Sequence, residues 1–303
     1  MNRSPYRNPF SSASLDRRHV ERKDDEWLDA ALDDPDTRFI ALRELQPLVR
    51  SEPESGICFL QANDPLIRNR KPADLLLMGW FGSRRTVLAE ADEHDSAPAG
   101  SHFEELRPLL ASLPADEAAL LYAARALLFW RTRHRHCGAC GAPTAPRSAG
   151  HALRCVNPDC AATFFPRIDP AVIVLVSDGP YALLGRQASW PKGRYSALAG
   201  FVEVGESLED AVAREVFEET GIQVHESHYF ASQPWPFPSS LMLGFHASGS
   251  RGPVSLDGEL EDARWFHADE LRQPTVTLPL PHTIARQLIE EWLTDAIHSR
   301  TIP

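Results

Sequence analysis

The sequence lacks long apolar runs. Its longest unbroken one, Ala171 to Val176, has about six residues, far short of the roughly twenty that a membrane-spanning helix needs. No apolar stretch of the signal-peptide type follows the arginines near the N-terminus. We therefore expect a cytoplasmic protein with no role for a membrane.

Positive charge is also scarce. The 303 residues include 31 Lys and Arg against 42 Asp and Glu, which gives a formal net charge of -11. An acidic balance of this size argues against broad electrostatic binding to nucleic acid or to an anionic membrane. Apolar residues make up 43%, an ordinary value for a globular protein, and the length leaves room for two or three domains.

Only five cysteines are present, and four of them are close together in a C-x-x-C and a C-x-x-x-x-C pair. In a protein without an export signal, such a cluster is typical of a metal site rather than of disulfides. Four thiolates on two turns suit one tetrahedral Zn²⁺, and the absence of an acidic ligand predicts a structural site. A reduced thiol cluster or a redox pair is the alternative. The predicted zinc ligands are Cys137, Cys140, Cys155 and Cys160, whereas Cys58 is interpreted as an ordinary buried cysteine.

Chemistry-bearing residues are densest between Gly200 and Ile222, where a glycine-containing loop precedes a predicted helix. Glu215 lies three residues before Glu218 and four before Glu219, so the three carboxylates share one helix face. A divalent cation relieves their mutual repulsion, and hard oxygen ligands suit Mg²⁺ or Mn²⁺. Arg214, four residues before Glu218, is placed to pair with it. A solvated acidic face is the alternative interpretation.

The spacing G-x5-E-x7-R-E-V-x-E-E-x-G-I, which begins at Gly200, resembles the Nudix box of the Nudix hydrolases at every specified position. The resemblance implies a metal-dependent hydrolase of nucleoside diphosphates linked to another moiety. Phosphoryl-transfer chemistry depends mainly on positioning and electrostatics, which accounts for a site rich in carboxylates and poor in nucleophiles.

A second motif, S-Q-P-W-P-F-P-S-S, spans residues 232–240. Its three alternating prolines stiffen the backbone and exclude the segment from the interior of a sheet. Trp235 and Phe237 are suited to stack on bases, at roughly 1–3 kcal/mol each. A Pro-aromatic loop packed on the core is the alternative. The polar residues suited to bind phosphate or ribose are Gln233, Ser239 and Ser240.

This motif resembles the SQPWPFPxS signature of the zinc-ribbon NADH pyrophosphatases, and the resemblance covers about residues 120–295. It implies an α/β fold: a Nudix α/β/α sandwich with a mixed sheet, preceded by a zinc ribbon and a small mixed α+β N-terminal domain. The expected parts are a flexible arm (1–24), an N-terminal NADH-pyrophosphatase-like domain (25–115), a connecting helix (116–136), the zinc ribbon (137–166) and the Nudix hydrolase domain (167–300).

The resemblance implies hydrolysis of the pyrophosphate bond of NADH or NAD to nicotinamide mononucleotide and AMP. Removal of 5′ NAD caps from RNA by the same chemistry is the alternative, with the basic run Arg131 to Arg135 as docking surface. A zinc-ribbon binding module with an inactive Nudix domain is a third hypothesis, against which the complete box argues. The resemblance also implies a homodimer, to which the apolar-faced helix before the ribbon is suited to contribute.

The resemblance further assigns roles to individual residues. Two or three catalytic Mg²⁺ or Mn²⁺ ions are expected; their ligands are Glu215, Glu218, Glu219, the Ala199 carbonyl and Glu259, with Glu261 as the competitor of Glu259. Glu218 and Glu219 both stay candidates for the general base, Arg214 orients the acids, and Glu206 is predicted to tie the loop together. The implied substrate-binding residues are Phe165, Phe201, Ala285 and the motif residues Gln233, Pro234, Trp235, Pro236, Phe237, Pro238, Ser239 and Ser240. Because the family often has tyrosine at the position of Phe165, stacking is expected there without a hydroxyl contact.

Overall fold

The computed structural model describes residues 14–23, 26–50, 55–256 and 258–298. Their contacts divide the chain into two units. The described residues up to Ile168, together with Pro236–Ser239, form the first unit, and Asp169–Trp235 with the described residues from Ser240 onward form the second.

Two expectations about the chain as a whole meet the structure here. Positions 1–13 and 24 of the predicted arm lie outside the described residues, while Leu15 and Asp16 pair with a strand of the first unit. No helix in the described ranges is long and apolar enough to cross a membrane.

The first unit contains a seven-stranded mixed sheet. Its strands are β1 (Leu15–Asp16), β2 (Arg38–Arg43), β3 (Gln46–Arg50), β4 (Gly56–Ile57), β5 (Leu75–Phe81), β6 (Arg84–Glu90) and β7 (Ser101–Phe103). They lie in the order β1-β5-β6-β2-β3-β4, with β7 also on β3, and β2 and β6 pair in parallel. The accompanying helices are α1 (Glu26–Asp33), α2 (Leu106–Leu109) and α3 (Ala115–Arg133).

Both faces of this sheet are buried. Ile40 and Leu42 of β2 join a core cluster that includes the apolar side of α3, and Phe39 and Ala41 join an opposite cluster with Ala31 of α1. Since successive residues of a strand point to opposite faces, a continuous apolar strand is the expected sequence for such a layer.

The zinc ribbon region of the first unit is a three-stranded antiparallel sheet in the order β10-β9-β8. Its strands are β8 (Thr144–Arg147), β9 (Ala152–Cys155) and β10 (Thr163–Phe164). Of the four clustered cysteines, Cys137 and Cys140 precede β8, Cys155 ends β9, and Cys160 lies between β9 and β10.

The second unit contains a six-stranded mixed sheet and two helices. The elements are β11 (Asp169–Asp178), β12 (Tyr181–Arg186), β13 (Leu198–Phe201), α4 (Leu208–Thr220), β14 (Val224–Trp235), β15 (Ser240–Gly249), β16 (Asp262–His267) and α5 (Ile284–His298). The strand order is β14-β15-β11-β12-β16, with β13 also on β11, and β11 and β15 pair in parallel.

The two helices of this unit cover opposite faces of the sheet. The even-numbered residues of 172–176 share a core cluster with Val212 and Val216 of α4, and the odd-numbered residues share another with Leu288 and Ile289 of α5. The predicted α/β/α sandwich is therefore confirmed, and the apolar run of β11 reflects burial on both sides.

Three local features adjust or refine the expected organisation. The connecting helix expected over residues 116–136 is α3, which begins at Ala115 after Pro114 and ends at Arg133. Strand β4 is only two residues long, and Leu60 after it forms an isolated bridge with Phe39. The first part of the second motif lies in β14, which extends to Trp235 as an edge strand, where proline is tolerated.

Candidate functional site

Ordinary capping interactions fix the two ends of α4. Ser207 Oγ accepts the N–H of Asp210 at 3.1 Å, and the Asp210 carboxylate accepts the N–H of Ser207 at 3.4 Å. Gly221 takes φ +71°, a conformation that side chains disfavour, and donates its N–H to the Phe217 carbonyl at 2.7 Å. These contacts fix the register of the carboxylate-bearing face.

Arg214 connects the loop to the helix. Its Nε and Nη2 donate to the two oxygens of Glu206 at 2.6 and 2.9 Å, and Nη2 also donates to the Phe201 carbonyl at 2.9 Å. Glu206 accepts the N–H of Glu203 at 2.9 Å as well. Hydrogen bonds from Arg214 and from Glu203 lower the pKa of Glu206 to about 2, so it stays ionised as a loop anchor.

Glu215 lies against the backbone of β13. A Cβ atom on Gly200 would fall inside the Glu215 carboxylate, so only glycine leaves room for it. Gly200 is covalently bonded to the Ala199 carbonyl, which places Glu215 beside the predicted backbone ligand. Arg214 Nη1 lies 3.0 Å from Glu215 Oε1 and donates to Glu218 Oε2 at 2.9 Å.

The box carboxylates differ in burial. Glu219 is only 4% exposed, whereas about half of the Glu218 side chain is exposed. Burial raises the pKa of Glu215; Arg214 opposes this shift, and the charges of Glu218 and Glu259 add to it. Acids held together at such a cost are the arrangement that a divalent cation stabilises, so these residues fit a hard metal ion.

The two candidates for the extra acidic ligand have different surroundings. The charge of Glu259 is one of the smaller causes that raise the pKa of Glu215. Glu261 instead forms an ion pair with Arg186 and donates its N–H to the Arg186 carbonyl at 3.0 Å. Asp257, between β15 and these acids, lies outside the described residues.

Four cysteine thiols meet at the tip of the zinc ribbon. The Sγ atoms of Cys137, Cys140, Cys155 and Cys160 all lie within 4.8 Å of one another. The Cys137–Cys160 and Cys140–Cys155 separations are 3.7 and 3.4 Å. Ligands of a tetrahedral Zn²⁺ with bonds of about 2.3 Å are about 3.8 Å apart, so the four thiols fit one structural zinc ion. This geometry fits the predicted zinc site, in which the C-x-x-C and C-x-x-x-x-C segments each supply two thiols.

The first half of the second motif lies in the second unit. Gln233 is fully buried, and its amide bonds the start of α5: Nε2 donates to the His282 carbonyl at 3.0 Å, and Oε1 accepts the N–H of Ile284 at 2.9 Å. These bonds hold the segment that carries Ala285. Trp235 and Ser240 are half-buried at the ends of β14 and β15.

The second half, Pro236–Ser239, belongs to the first unit and packs on α3. Phe237 meets Tyr122 edge to face at 6.0 Å, and the Arg125 and Arg107 guanidinium groups lie 4.7 and 5.1 Å from its ring centre. Arg125 also donates to the Pro236 carbonyl. Sequence reasoning missed these α3 residues, although Tyr122 and Arg125, three residues apart, share a helix face.

The remaining predicted substrate residues differ in exposure. Phe201 and Phe165 are exposed by 58% and 70%, so both aromatic faces are open to solvent. Ala285 and Ser239 are buried, with an exposed fraction of 7% each. Direct contact of each residue with substrate stays a prediction.

Family models match consecutive parts of the chain. A NADH pyrophosphatase-like rudimentary NUDIX domain matches residues 36–130, a NADH pyrophosphatase zinc ribbon domain matches 132–165, and a NUDIX domain matches 167–288. Together they follow the predicted order of N-terminal domain, ribbon and hydrolase domain.

Curated relatives extend this match to most of the chain. The NAD-capped RNA hydrolase NudC of Stutzerimonas stutzeri is 44% identical, over 71% of this chain and 76% of its own. The chain belongs to the NADH pyrophosphatase family of Nudix hydrolases. Other relatives in this family are the NAD-capped RNA hydrolase NUDT12 of Homo sapiens (33% identical, over 94% of this chain and 73% of its own) and the mitochondrial NAD(P)H pyrophosphatase NUDT13 of Homo sapiens (44% identical, over 63% and 59%). A solved Nudix hydrolase from Nitrosomonas europaea overlaps 54% of this chain and 93% of its own, at 20% identity and a TM-score of 0.44.

The arginines of the basic run from Arg131 to Arg135, at the end of α3, differ in their contacts and exposure. Arg131 donates to the carbonyls of Leu75 and Ala73, and burial lowers its pKa. Arg133 lies 5.1 Å from the ring centre of Phe129 and is exposed, and the largely exposed Arg135 forms only a loose surface ion pair with Glu90 at 4.0 Å. Arg131 therefore joins α3 to β5, and only the last two arginines are available to a polyanion.

Proposed function

We propose that this chain hydrolyses the pyrophosphate bond of NADH or NAD to nicotinamide mononucleotide and AMP. The observation that carries the proposal is the carboxylate group of α4, with Glu215 against Gly200 and Glu219 buried. The zinc ribbon and the second motif support a dinucleotide as the substrate class, since both belong to the NADH pyrophosphatase pattern.

The residues proposed to hold two or three Mg²⁺ or Mn²⁺ ions are Glu215, Glu218, Glu219, Glu259 and the Ala199 carbonyl. When bound, such ions supply an attacking water of lowered pKa and neutralise phosphate charge. Arg214 holds Glu218 and Glu215 in place through its Nη1 group, while its Nε and Nη2 groups hold the loop. The protein thus preorganises the acids before substrate arrives.

For the general base, we favour Glu219 over Glu218. Arg214 already binds Glu218, whose side chain is about half exposed, whereas Glu219 lies buried next to the proposed metal ligands. Glu219→Gln keeps the shape of the side chain and removes its charge. We expect loss of turnover with unchanged folding and zinc content; retained turnover would contradict the site.

Base recognition is proposed to come from aromatic rings at two strand ends. Phe201 offers an exposed ring at the end of β13, and Trp235 offers a half-buried ring at the end of β14. Stacking of this kind contributes roughly 1–3 kcal/mol per base. Gln233 is proposed to act by positioning the start of α5 rather than by touching the substrate.

Removal of 5′ NAD caps from RNA is the second candidate, and it is favoured by the similarity to the NAD-capped RNA hydrolase of S. stutzeri. The same acids serve both substrates, because the bond that is broken is the same. The docking surface first predicted at Arg131 to Arg135 is reduced to Arg133 and Arg135, since Arg131 is committed to backbone carbonyls.

A product assay tests both candidates. Purified protein with Mg²⁺ or Mn²⁺ is offered NADH, NAD, ADP-ribose and NAD-capped RNA in parallel. AMP and nicotinamide mononucleotide from the dinucleotides, with ADP-ribose poorly used, would support the first candidate, and a strong preference for capped RNA would support the second. If metal-loaded protein cleaves none of these substrates, the result would instead support the third hypothesis, a zinc-ribbon binding module with an inactive Nudix domain. A homodimer is proposed from the family resemblance and is tested by light scattering.

A further inference from the structure

The zinc ribbon concentrates positive charge in an acidic chain. Residues 132–165 contain four arginines and one acidic residue, Asp159, whereas the whole chain carries -11. At physiological ionic strength charges beyond about 8 Å are largely screened, so a polyanion responds to the local surface rather than to the net charge. The four arginines are Arg133, Arg135, Arg147 and Arg154.

Two of these arginines share one face of the ribbon sheet. Arg147 lies opposite Ala152, and Arg154 lies opposite Ala145 and Thr163 on its two sides. Opposite residues and residues two apart along a strand point to the same side, so Arg147, Arg154 and Thr163 project together. All three are exposed. We call these three residues the ribbon face.

The other side of this sheet is turned toward the rest of the first unit. Thr144, Pro146 and Leu153 line a cavity of about 500 Å³ together with Arg131 and Arg135. The ribbon face is therefore the outward side, open to a large ligand.

The arginines of the ribbon face have no carboxylate partner among the described residues. Arg147 donates to the carbonyl of its neighbour Pro146 at 3.1 Å, and neither Arg147 nor Arg154 takes part in an ion pair in that part of the chain. As diagonal neighbours their backbones are about 7–8 Å apart, close enough for both guanidinium groups to reach one strand of phosphates.

We propose that the ribbon face binds the phosphodiester backbone of single-stranded RNA. Guanidinium groups match phosphate with paired hydrogen bonds, and a threonine hydroxyl such as that of Thr163 is a common additional phosphate contact. None of the three residues is aromatic, so the contacts position an RNA without selecting its bases. The proposal deepens the capped-RNA candidate and rests on it, because it gives the RNA chain that carries the cap a surface to occupy.

The test measures salt-dependent binding of a single-stranded, NAD-capped RNA of about 20 nucleotides by fluorescence anisotropy. All proteins carry Glu219→Gln so that the RNA stays intact, and KCl is varied between about 50 and 200 mM. Each phosphate contact on a single strand contributes about 0.7 to the slope of log K against log salt. Arg147→Gln with Arg154→Gln is expected to reduce that slope by about 1.4.

Two matched double variants separate the face from total charge. Arg68→Gln with Arg84→Gln removes the same charge from exposed positions outside the ribbon and is expected to leave the slope within about 0.3 of the parent. Arg147→Lys with Arg154→Lys keeps the charge and is expected to retain most of the slope. Zinc content is measured in every variant, because loss of the metal site could by itself change the salt dependence of RNA binding.

The outcomes are distinct. An unchanged slope in the Arg147 and Arg154 glutamine variant, or an equal loss in the Arg68 and Arg84 control, would overturn the proposal. Loss of zinc with no change in slope would assign the arginines to the metal site, and binding to phosphatidylserine vesicles with an unchanged RNA slope would assign them to a membrane; both also overturn it. In proteins that keep Glu219, the arginine replacements are expected to leave NADH turnover unchanged. A failure of the proposed hydrolysis would therefore already show as missing turnover in the protein without arginine replacements, independently of the RNA-binding slopes.

Discussion

Replacing Gly200 by alanine should disable catalysis while leaving the fold in place. Gly200 has no positive φ, so alanine adds no backbone strain, and the three atoms nearest to the added Cβ all belong to the Glu215 carboxylate. To restore normal contact, that carboxylate must move by about an ångström or more, and a misplacement of this size costs about 100-fold in rate. A loss of 100-fold corresponds to about 2.7 kcal/mol of transition-state stabilisation.

The assay compares kcat for NADH with Mg²⁺ or Mn²⁺, the affinity for Mn²⁺ by calorimetry, and the melting temperature. Gly252→Ala is the matched control in the same unit, because its added Cβ meets one side-chain atom at an ordinary 4.0 Å. We expect the Gly200 variant to lose activity and bind Mn²⁺ more weakly at nearly unchanged melting temperature, and the control to behave as the parent. If Gly200→Ala keeps activity within threefold and binds Mn²⁺ normally, Glu215 is not a metal ligand in this position.

Three further predictions concern the first unit. Arg125→Met removes the bond to the Pro236 carbonyl and should raise KM for NADH about tenfold with a smaller change in kcat, whereas Arg133→Met should change neither. Burial, opposed by a hydrogen bond to the Leu77 carbonyl, lowers the pKa of His151 to about 4. The free energy of unfolding is therefore undiminished above about pH 6.5 and falls by about 3 kcal/mol as the pH drops toward 4. In urea unfolding, His151→Gln should make the free energy of unfolding depend less steeply on pH over this range. Cys140→Ser should reduce zinc content and lower the melting temperature, and retention of a full zinc equivalent would contradict the four-thiol site.

The parts of the fold with strong local signals were predictable. The run around Val174 gave a strand because both of its faces are buried, and Ser207 and Gly221 marked the ends of α4 because capping depends on nearby residues. The shared face of Glu215 and Glu219 follows from helical spacing alone.

What could not be predicted depends on contacts between segments distant in sequence. Arg131 looks like part of a charged run, yet its guanidinium donates to the carbonyls of Ala73 and Leu75 at the start of β5. The division of the second motif is of the same kind: Gln233 bonds the start of α5, while Phe237 packs on α3. A one-dimensional pattern shows which side chains are suited to bind, and the tertiary structure decides which are already occupied.

The parallel pairing of β11 with β15 also determines when the catalytic face can form. Ala171 pairs with Met242, and the whole of α4 and β14 lies between the two strands. Closing so long a loop is slow, because its entropy must be lost before the pairing contacts are gained. During synthesis we therefore expect the part of the first unit up to Ile168, with its ribbon, to fold while the box helix still lacks its sheet. A nascent chain would acquire its zinc site early and its capacity to bind the catalytic ions only after β15 has left the ribosome.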